Sequence, residues 1–232
     1  MDKLSFLKRY RKSIEFVSKE DLLNIEKKHI SEKWMEVLIE TNKAERKNKL
    51  IALWNSVCKE ELSNTIMYLQ ENLLEFELII DNGQYAVLYS VKSENDEILY
   101  YEGGLPNKSL HNLKMQQVWS SVPKSINKFY EELHNGFYYF PSQAMGVIRL
   151  EQITHFSEYE WGILEELDEP LGLNIDTTYG FFENGMGGYV AVDLNNCKDN
   201  LATLWFVNDQ PEYNVDFWDI IDEWIVIGLQ DD

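Results

Sequence analysis

The hydrophobic period of this chain changes near residue 75, and that change limits the folds open to it. Before it, apolar residues recur at helical spacing. Leu4, Leu7, Ile14 and Val17 stand among lysines and arginines, followed by Trp34, Val37 and Leu38, then Leu50, Leu53 and Trp54. "SKED" at 18 to 21 offers Ser18 as an N-cap with Asp21 three residues on. "TNKAERKNK", 41 to 49, reads as a solvated helix face or a joint. No proline precedes Pro106, so nothing forces a break. After residue 75 the runs "FELII", "QYAVLYSV" and "EILYYEG" alternate and are rich in β-formers, with "DNG" and "SEND" between them. They predict a three-stranded antiparallel meander. The expected organisation is a helical segment over 1–75 and an α+β domain over 76–232, with the 76–104 meander open to joining the same sheet.

The second half repeats the mixture. "LPNKSLHN", 105 to 112, reads as a loop and "MQQVWSSV" as a short helix. "SVPKSINKFYEELHNG", 121 to 136, predicts a helix with Pro123 in its first turn and Ile126, Phe129, Tyr130 and Leu133 as its apolar stripe. Gly136 signals its C-terminal cap. His134 then has two readings, a catalytic base beside a flexible loop or a residue of the last turn that complements the helix dipole. No Ser, Cys or Asp in a known nucleophile motif accompanies it, which favours the second. Downstream, "MGVIRLEQI" predicts a strand and "SEYEWGILEEL" a helix capped by Ser157. "TTYGFFENGMGGYVAVDL" predicts a hairpin and "LATLWFV" a strand. "NVDFWDIIDEWIVIGL" predicts a helix capped by Asn214. Its buried face, Phe217, Ile220, Ile221, Trp224 and Ile225, is expected to dock on strands at 189–194 and 201–207.

Charge is distributed unevenly. Residues 1–60 carry 14 Lys+Arg against 10 Asp+Glu, and residues 61–232 carry 7 against 30, which gives +4 and −23 of the total −19. Nucleic-acid affinity rests largely on cationic contacts, so the acidic portion is a poor phosphate-binding surface. It suits a basic protein partner, or it serves solubility alone. Two distant cysteines, Cys58 and Cys197, give neither a disulfide framework nor a zinc pattern. "MDKLSFLKRYRKS" lacks a signal-peptide core, and no run of about 18 apolar residues occurs. The expected address is the cytoplasm.

Recognisable catalytic or cofactor motifs are missing. "ENGMGGYV" lacks the GK[ST] of a phosphate loop and lies between strands, so it reads as a turn. "DLNNCKDN" offers Asp193, Asn195 and Asp199 as oxygen ligands. However, Lys198 holds the glycine position and Leu204 the glutamate position of a calcium loop. Asp219, Asp222 and Glu223 flank an apolar stripe and read as a solvated face. No metal and no cofactor is expected.

Taken in order over about 105–232, "VPKSINKFYEELHNGF", "MGVIRLEQI", "GGYVAVDL" and "VDFWDIIDEWI" resemble the SUKH superfamily of Smi/Knr-type proteins. The resemblance implies an α+β fold with a mixed or antiparallel central sheet flanked by helices, here with an N-terminal helical extension. It also implies a binding role without catalytic residues, in many bacterial members that of an immunity protein neutralising a cognate toxin domain, often a nuclease. A scaffold or regulator of the same fold is the alternative; an enzyme using carboxylates is a further one. The expected contact patch is Glu158, Glu160, Glu165, Glu166, Asp168, Asp209 and Glu212 around Trp161 and Tyr213.

Overall fold

The computed structural model describes residues 2–26, 29–106 and 113–230. The loop expected at 105–112 lies mostly outside them. The fold is α+β, as the sequence predicts: an antiparallel sheet of eleven strands with helices packed on it.

The first stretch is less helical than its spacing suggests. Helix α1, Lys3–Leu7, gives way to strand β1, Glu15–Phe16, which pairs with the edge of the sheet. Ile14 and Val17 are therefore not helical. Helices α2, Lys19–Leu22, α3, Glu32–Leu38, and α4, Lys43–Cys58, follow. Each starts at a polar side chain that takes up otherwise unpaired amides: Ser18 accepts from Asp21 N, Ser31 from Trp34 N, and Asn42 from Ala44 N and Glu45 N. Asn42 thereby resolves "TNKAERKNK" as a helix start.

Helix α5, Ser63–Asn72, runs straight into β2, Leu73–Asp81. Strands β3, Gln84–Lys92, and β4, Ile98–Gly104, complete the expected meander. Its first turn places Asn82 at φ 49° and Gly83 at φ 79°, the left-handed pair that matches strand twist. Helix α6, Leu113–Val118, leads to α7, Lys124–Lys128, which widens into a π-type turn at Phe129–Leu133. Then come β5, Phe137–Tyr139, β6, Gly146–Val147, β7, Thr154–His155, β8, Thr178–Glu183, β9, Gly188–Asp193, β10, Leu201–Phe206, and β11, Glu212–Asp216. Helix α8, Phe217–Gln230, ends the described chain.

The sheet runs β1-β2-β3-β4-β5-β6-β8-β9-β10-β11, with β7 added on β8. Both faces of its centre are buried, which explains the nearly unbroken apolar run of β3. Val87, Tyr89 and Val91 join the core beneath the helices, whereas Ala86 and Leu88 point to the other face. At one end Leu7 and Ile14 of the N-terminal arm cover that outer face, packing with Ile79 of β2 and with Phe140. At the other it is covered by residues 156–175, which lay Phe156, Trp161 and Ile163 over Ala191 and Trp205. The arm and the α3–α5 layer thus pack on the same sheet as the rest of the chain.

Helix α8 packs on β3, β6, β9, β10 and β11 and against α5, the docking the sequence predicts. Its details differ. The first amides, Trp218 N and Asp219 N, are taken by Asp216 Oδ1 at 2.9 and 3.1 Å, so Asp216 is the cap. Asn214 sits in β11, an unforeseen strand. The buried face is Phe217, Trp218, Ile221, Ile225 and Leu229; Ile220 and Trp224 are half-buried. Among the described residues no helix is long and apolar enough to cross a membrane.

Asp222 overturns its reading as a solvated residue. It is buried, and it accepts from Asn64 N at 2.9 Å and Thr65 N at 2.8 Å. Helix α5 has no cap of its own, because Leu62 precedes it. Asp222 supplies that cap from α8, with a carboxylate at the positive end of the dipole. Asp222→Ala is expected to cost about 2–3 kcal/mol, since it strands two amides. Urea unfolding checks this, and a loss below about 0.5 kcal/mol would refute the cap.

Candidate functional site

His134 is fully buried among aromatic rings. Trp34 lies 5.0 Å away, Trp54 5.6 Å, Tyr89 5.6 Å and Phe137 5.8 Å, centre to centre. Its Nδ1 donates to Gly104 O at 2.9 Å, because a carbonyl only accepts. That leaves Nε2 as acceptor from the Tyr89 hydroxyl at 2.7 Å, and that hydroxyl in turn accepts from Trp54 Nε1 at 3.1 Å. Burial pushes the imidazole pKa down to about 3, against a smaller rise from the Gly104 bond. The ring is close enough to β4 that a Cβ on Gly103 would lie 2.3 Å from it, so only glycine fits there.

His134 does end the helix, in extended conformation at φ −143°. The dipole explanation fails, because the ring is neutral and turns into the core instead of toward the helix end. Both ring nitrogens are occupied by the fold.

The expected contact patch is partly assembled. No helix forms at 157–167. Phe156–Glu158 and Gly162–Glu165 are single 3₁₀ turns, and Ser157 caps nothing. The reason lies in the spacing: Trp161 and Ile163 are both buried, and residues two apart cannot share one helical face. Trp161 is a core residue, 5.4 Å from Trp205 and 5.8 Å from Tyr189, and its Nε1 donates to Phe156 O at 2.8 Å. It is therefore unavailable as a surface anchor. The exposed aromatic beside it is Tyr159, 56% exposed and 5.8 Å from Trp161.

Gln210 ties this segment to the β10–β11 loop. It donates to Glu166 O at 2.9 Å and accepts from Asp168 N at 3.1 Å. Tyr213 is half-buried and accepts from Gly172 N at 3.1 Å. Val207 N in turn bonds Gly187 O in the β8–β9 turn at 3.1 Å. Asn184 Oδ1 holds that turn by accepting from Met186 N and Gly188 N, both at 2.8 Å. Met186 at its tip is 85% exposed.

One end of the sheet thus carries Glu166, Asp168, Asp209 and Glu212 together, with Glu158, Glu160 and Glu165 along the adjoining segment; all are exposed. After Arg149 the chain has 19 Asp+Glu and a single cation, Lys198. Residues 156–175 and 207–212, which form this end, hold these acids and no lysine or arginine, so the end is acidic. Tyr159, Met186 and Gln210 escaped the sequence reading; the paired spacing of Trp161 and Ile163 was the signal available.

Asp193 is not a free oxygen ligand. Burial would raise its pKa, but bonds from Thr177 Oγ1, Asn196 Nδ2, Asn174 N and Asn195 N hold it below the usual carboxylate range. Among the described residues no three His, Cys, Asp or Glu are grouped to hold a metal ion. Comparisons with protein-family models, curated proteins and solved structures find no match for this chain.

Proposed function

We propose that the chain is a binding protein of the immunity type, which holds a basic toxin domain, such as a nuclease, against its acidic end. The placement of Tyr159 and Met186 carries this reading. Both are exposed, on segments fixed by Trp161 and Asn184, at an end of the sheet where acids far outnumber cations. Apolar anchors ringed by charge are a common hot-spot arrangement. The motif order over 105–232 that resembles SUKH proteins supports the same role. So does a His134 imidazole whose two nitrogens are both bonded within the fold.

Co-purification with the product of an adjacent reading frame tests the proposal. Recovery of a secreted toxin domain supports it. A complex with a non-toxin regulator instead points to a scaffold. With a partner in hand, Glu165→Lys combined with Glu166→Lys is expected to slow association roughly tenfold at low salt without disturbing the fold, since both residues are exposed. An association rate indifferent to ionic strength between about 10 mM and 1 M, where the screening length falls from roughly 30 to 3 Å, would rule out steering. Tyr159→Ala is expected to weaken binding by about 1–2 kcal/mol in calorimetric titration.

A further inference from the structure

The turn after β9, which the sequence offers as a set of oxygen ligands, lines a cavity of about 530 Å³ on the outer face of the sheet. That volume lies within the range of small-molecule pockets, roughly 300–1,000 Å³. Leu201 and Thr203 of β10 lie on the cavity, with Tyr213 of β11 paired opposite Thr203. Thr203 is two residues from Trp205, so both point to the outer face, whereas Ala202 and Leu204 join the core beneath the helices. The pairing of β10 with β11 shifts between Ala202 and Thr203, which leaves Asn214 as a bulge at φ 59° beside the cavity. Bulges at a sheet edge re-aim the side chains around them.

Thr203 is only 7% exposed, and its hydroxyl has no hydrogen-bond partner among the described residues. The hydroxyls of Thr65 and Ser90 are also unpaired, but they are sealed inside the protein; that of Thr203 opens on the cavity. Buried hydroxyls are usually paired. The fold therefore leaves this one to whatever fills the cavity.

Charge decides what that is. Asp193 is the one carboxylate on the cavity, and it already accepts four bonds, from Thr177 Oγ1 and Asn195 N on Oδ1 and from Asn174 N and Asn196 Nδ2 on Oδ2. A carboxylate has about four acceptor positions, so a cation finds none free. An anion would meet Lys198 but also Asp193, beside an end of the sheet without other cations. A neutral ligand rich in hydrogen-bonding groups meets neither obstacle. The Tyr213 hydroxyl accepts from Gly172 N and keeps its own proton to donate. The side-chain amides of Asn195 and Asn214 are exposed and unpaired among the described residues. Leu173, half-buried, and Leu201, 39% exposed, add apolar surface. We propose that this cavity binds a neutral saccharide unit, with its hydroxyls on Thr203, Tyr213, Asn195 and Asn214 and a C–H face against Leu173 and Leu201. This ligand is independent of the partner proposed for the acidic end.

The test uses the full chain labelled with nitrogen-15. Glucose, galactose, mannose and N-acetylglucosamine are titrated separately, with acetate and methylammonium as charged controls of either sign. At least one sugar is expected to move the amide signals of Gly172, Asn195 and Thr203 saturably in the millimolar range or below. Each control is expected to act at least roughly tenfold more weakly, a difference of one decade in dissociation constant. Thr203→Val keeps the shape of the side chain without its hydroxyl, and is expected to weaken that sugar about fivefold. If this variant does not fold, Asn214→Gly, which keeps the left-handed backbone and removes the amide, is expected to weaken it similarly. Signals that none of the four sugars moves would overturn the proposal. So would sugar binding that the folded variant leaves unchanged, or a control that binds as tightly as the sugar.

Discussion

Glu102→Ala is expected to lower stability by about 3–5 kcal/mol, the largest effect of any exchange of a charged residue in this fold. The guanidiniums of Arg11 and Arg149, each only 16% exposed, would lose the carboxylate they share and face each other across an apolar sheet surface. Tyr138 would lose its acceptor as well. The cost is mostly that of stranding charge, so removing all of it should restore much of the loss. Arg11→Met, Glu102→Leu and Arg149→Met together are expected to recover at least about half. Guanidinium unfolding of the single and triple variants measures both effects. A single-variant loss below about 1 kcal/mol would mean that the arginines swing freely into solvent.

The second large effect is one of pH. An unfolded imidazole takes its proton near pH 6.5, whereas His134 in the fold holds out to about 3. A depressed histidine pKa means that folding favours the neutral ring. Its contribution is whole above pH 6.5 and drains away as pH falls toward 3, by up to about 4–5 kcal/mol. The acidic surface acts in the opposite direction, because protonating its carboxylates relieves repulsion. His134→Gln isolates the imidazole, since the carboxylates are common to both proteins. At about pH 7 the variant is expected to be less stable by about 2–3 kcal/mol, from lost ring contacts and hydrogen bonds. Near pH 4 the gap should close or reverse. Urea midpoints taken across that range check this; parallel curves for the two proteins would refute it.

What the sequence made legible were features that depend on neighbours in the chain. Asn82-Gly83 announced its turn, Ser18 its cap, and the alternation of β2 to β4 its meander, because each is decided within a few residues. What escaped depends on distant partners. Asp222 looked solvated because nothing local shows that α5 lacks a cap. Trp161 looked like a surface anchor because its charged neighbours hide a side chain that packs on Trp205. Ile14 fell at helical spacing by coincidence, although it covers a sheet. For the candidate surface, the sequence supplied the charge and the acids but not the apolar contacts, since exposure of Tyr159 and Met186 follows from how their segments are pinned. The Arg11–Glu102–Arg149 cluster joins three segments far apart in sequence, so no spacing could reveal it.

The capping of α5 by Asp222 also orders events during synthesis. Almost every strand pairs with the one made just before it, so the sheet can close hairpin by hairpin as the chain emerges. Helix α5 cannot settle in the same way. Thr65 is made 157 residues before Asp222, an interval of roughly ten to thirty seconds at common elongation rates of about 5–20 residues per second. Throughout that interval the helix start is uncapped, and the core face that α8 will cover is open. A substitution at Asp222 prolongs this exposed stage, and its first consequence in a cell is expected to be a lower yield of soluble protein from newly made chains.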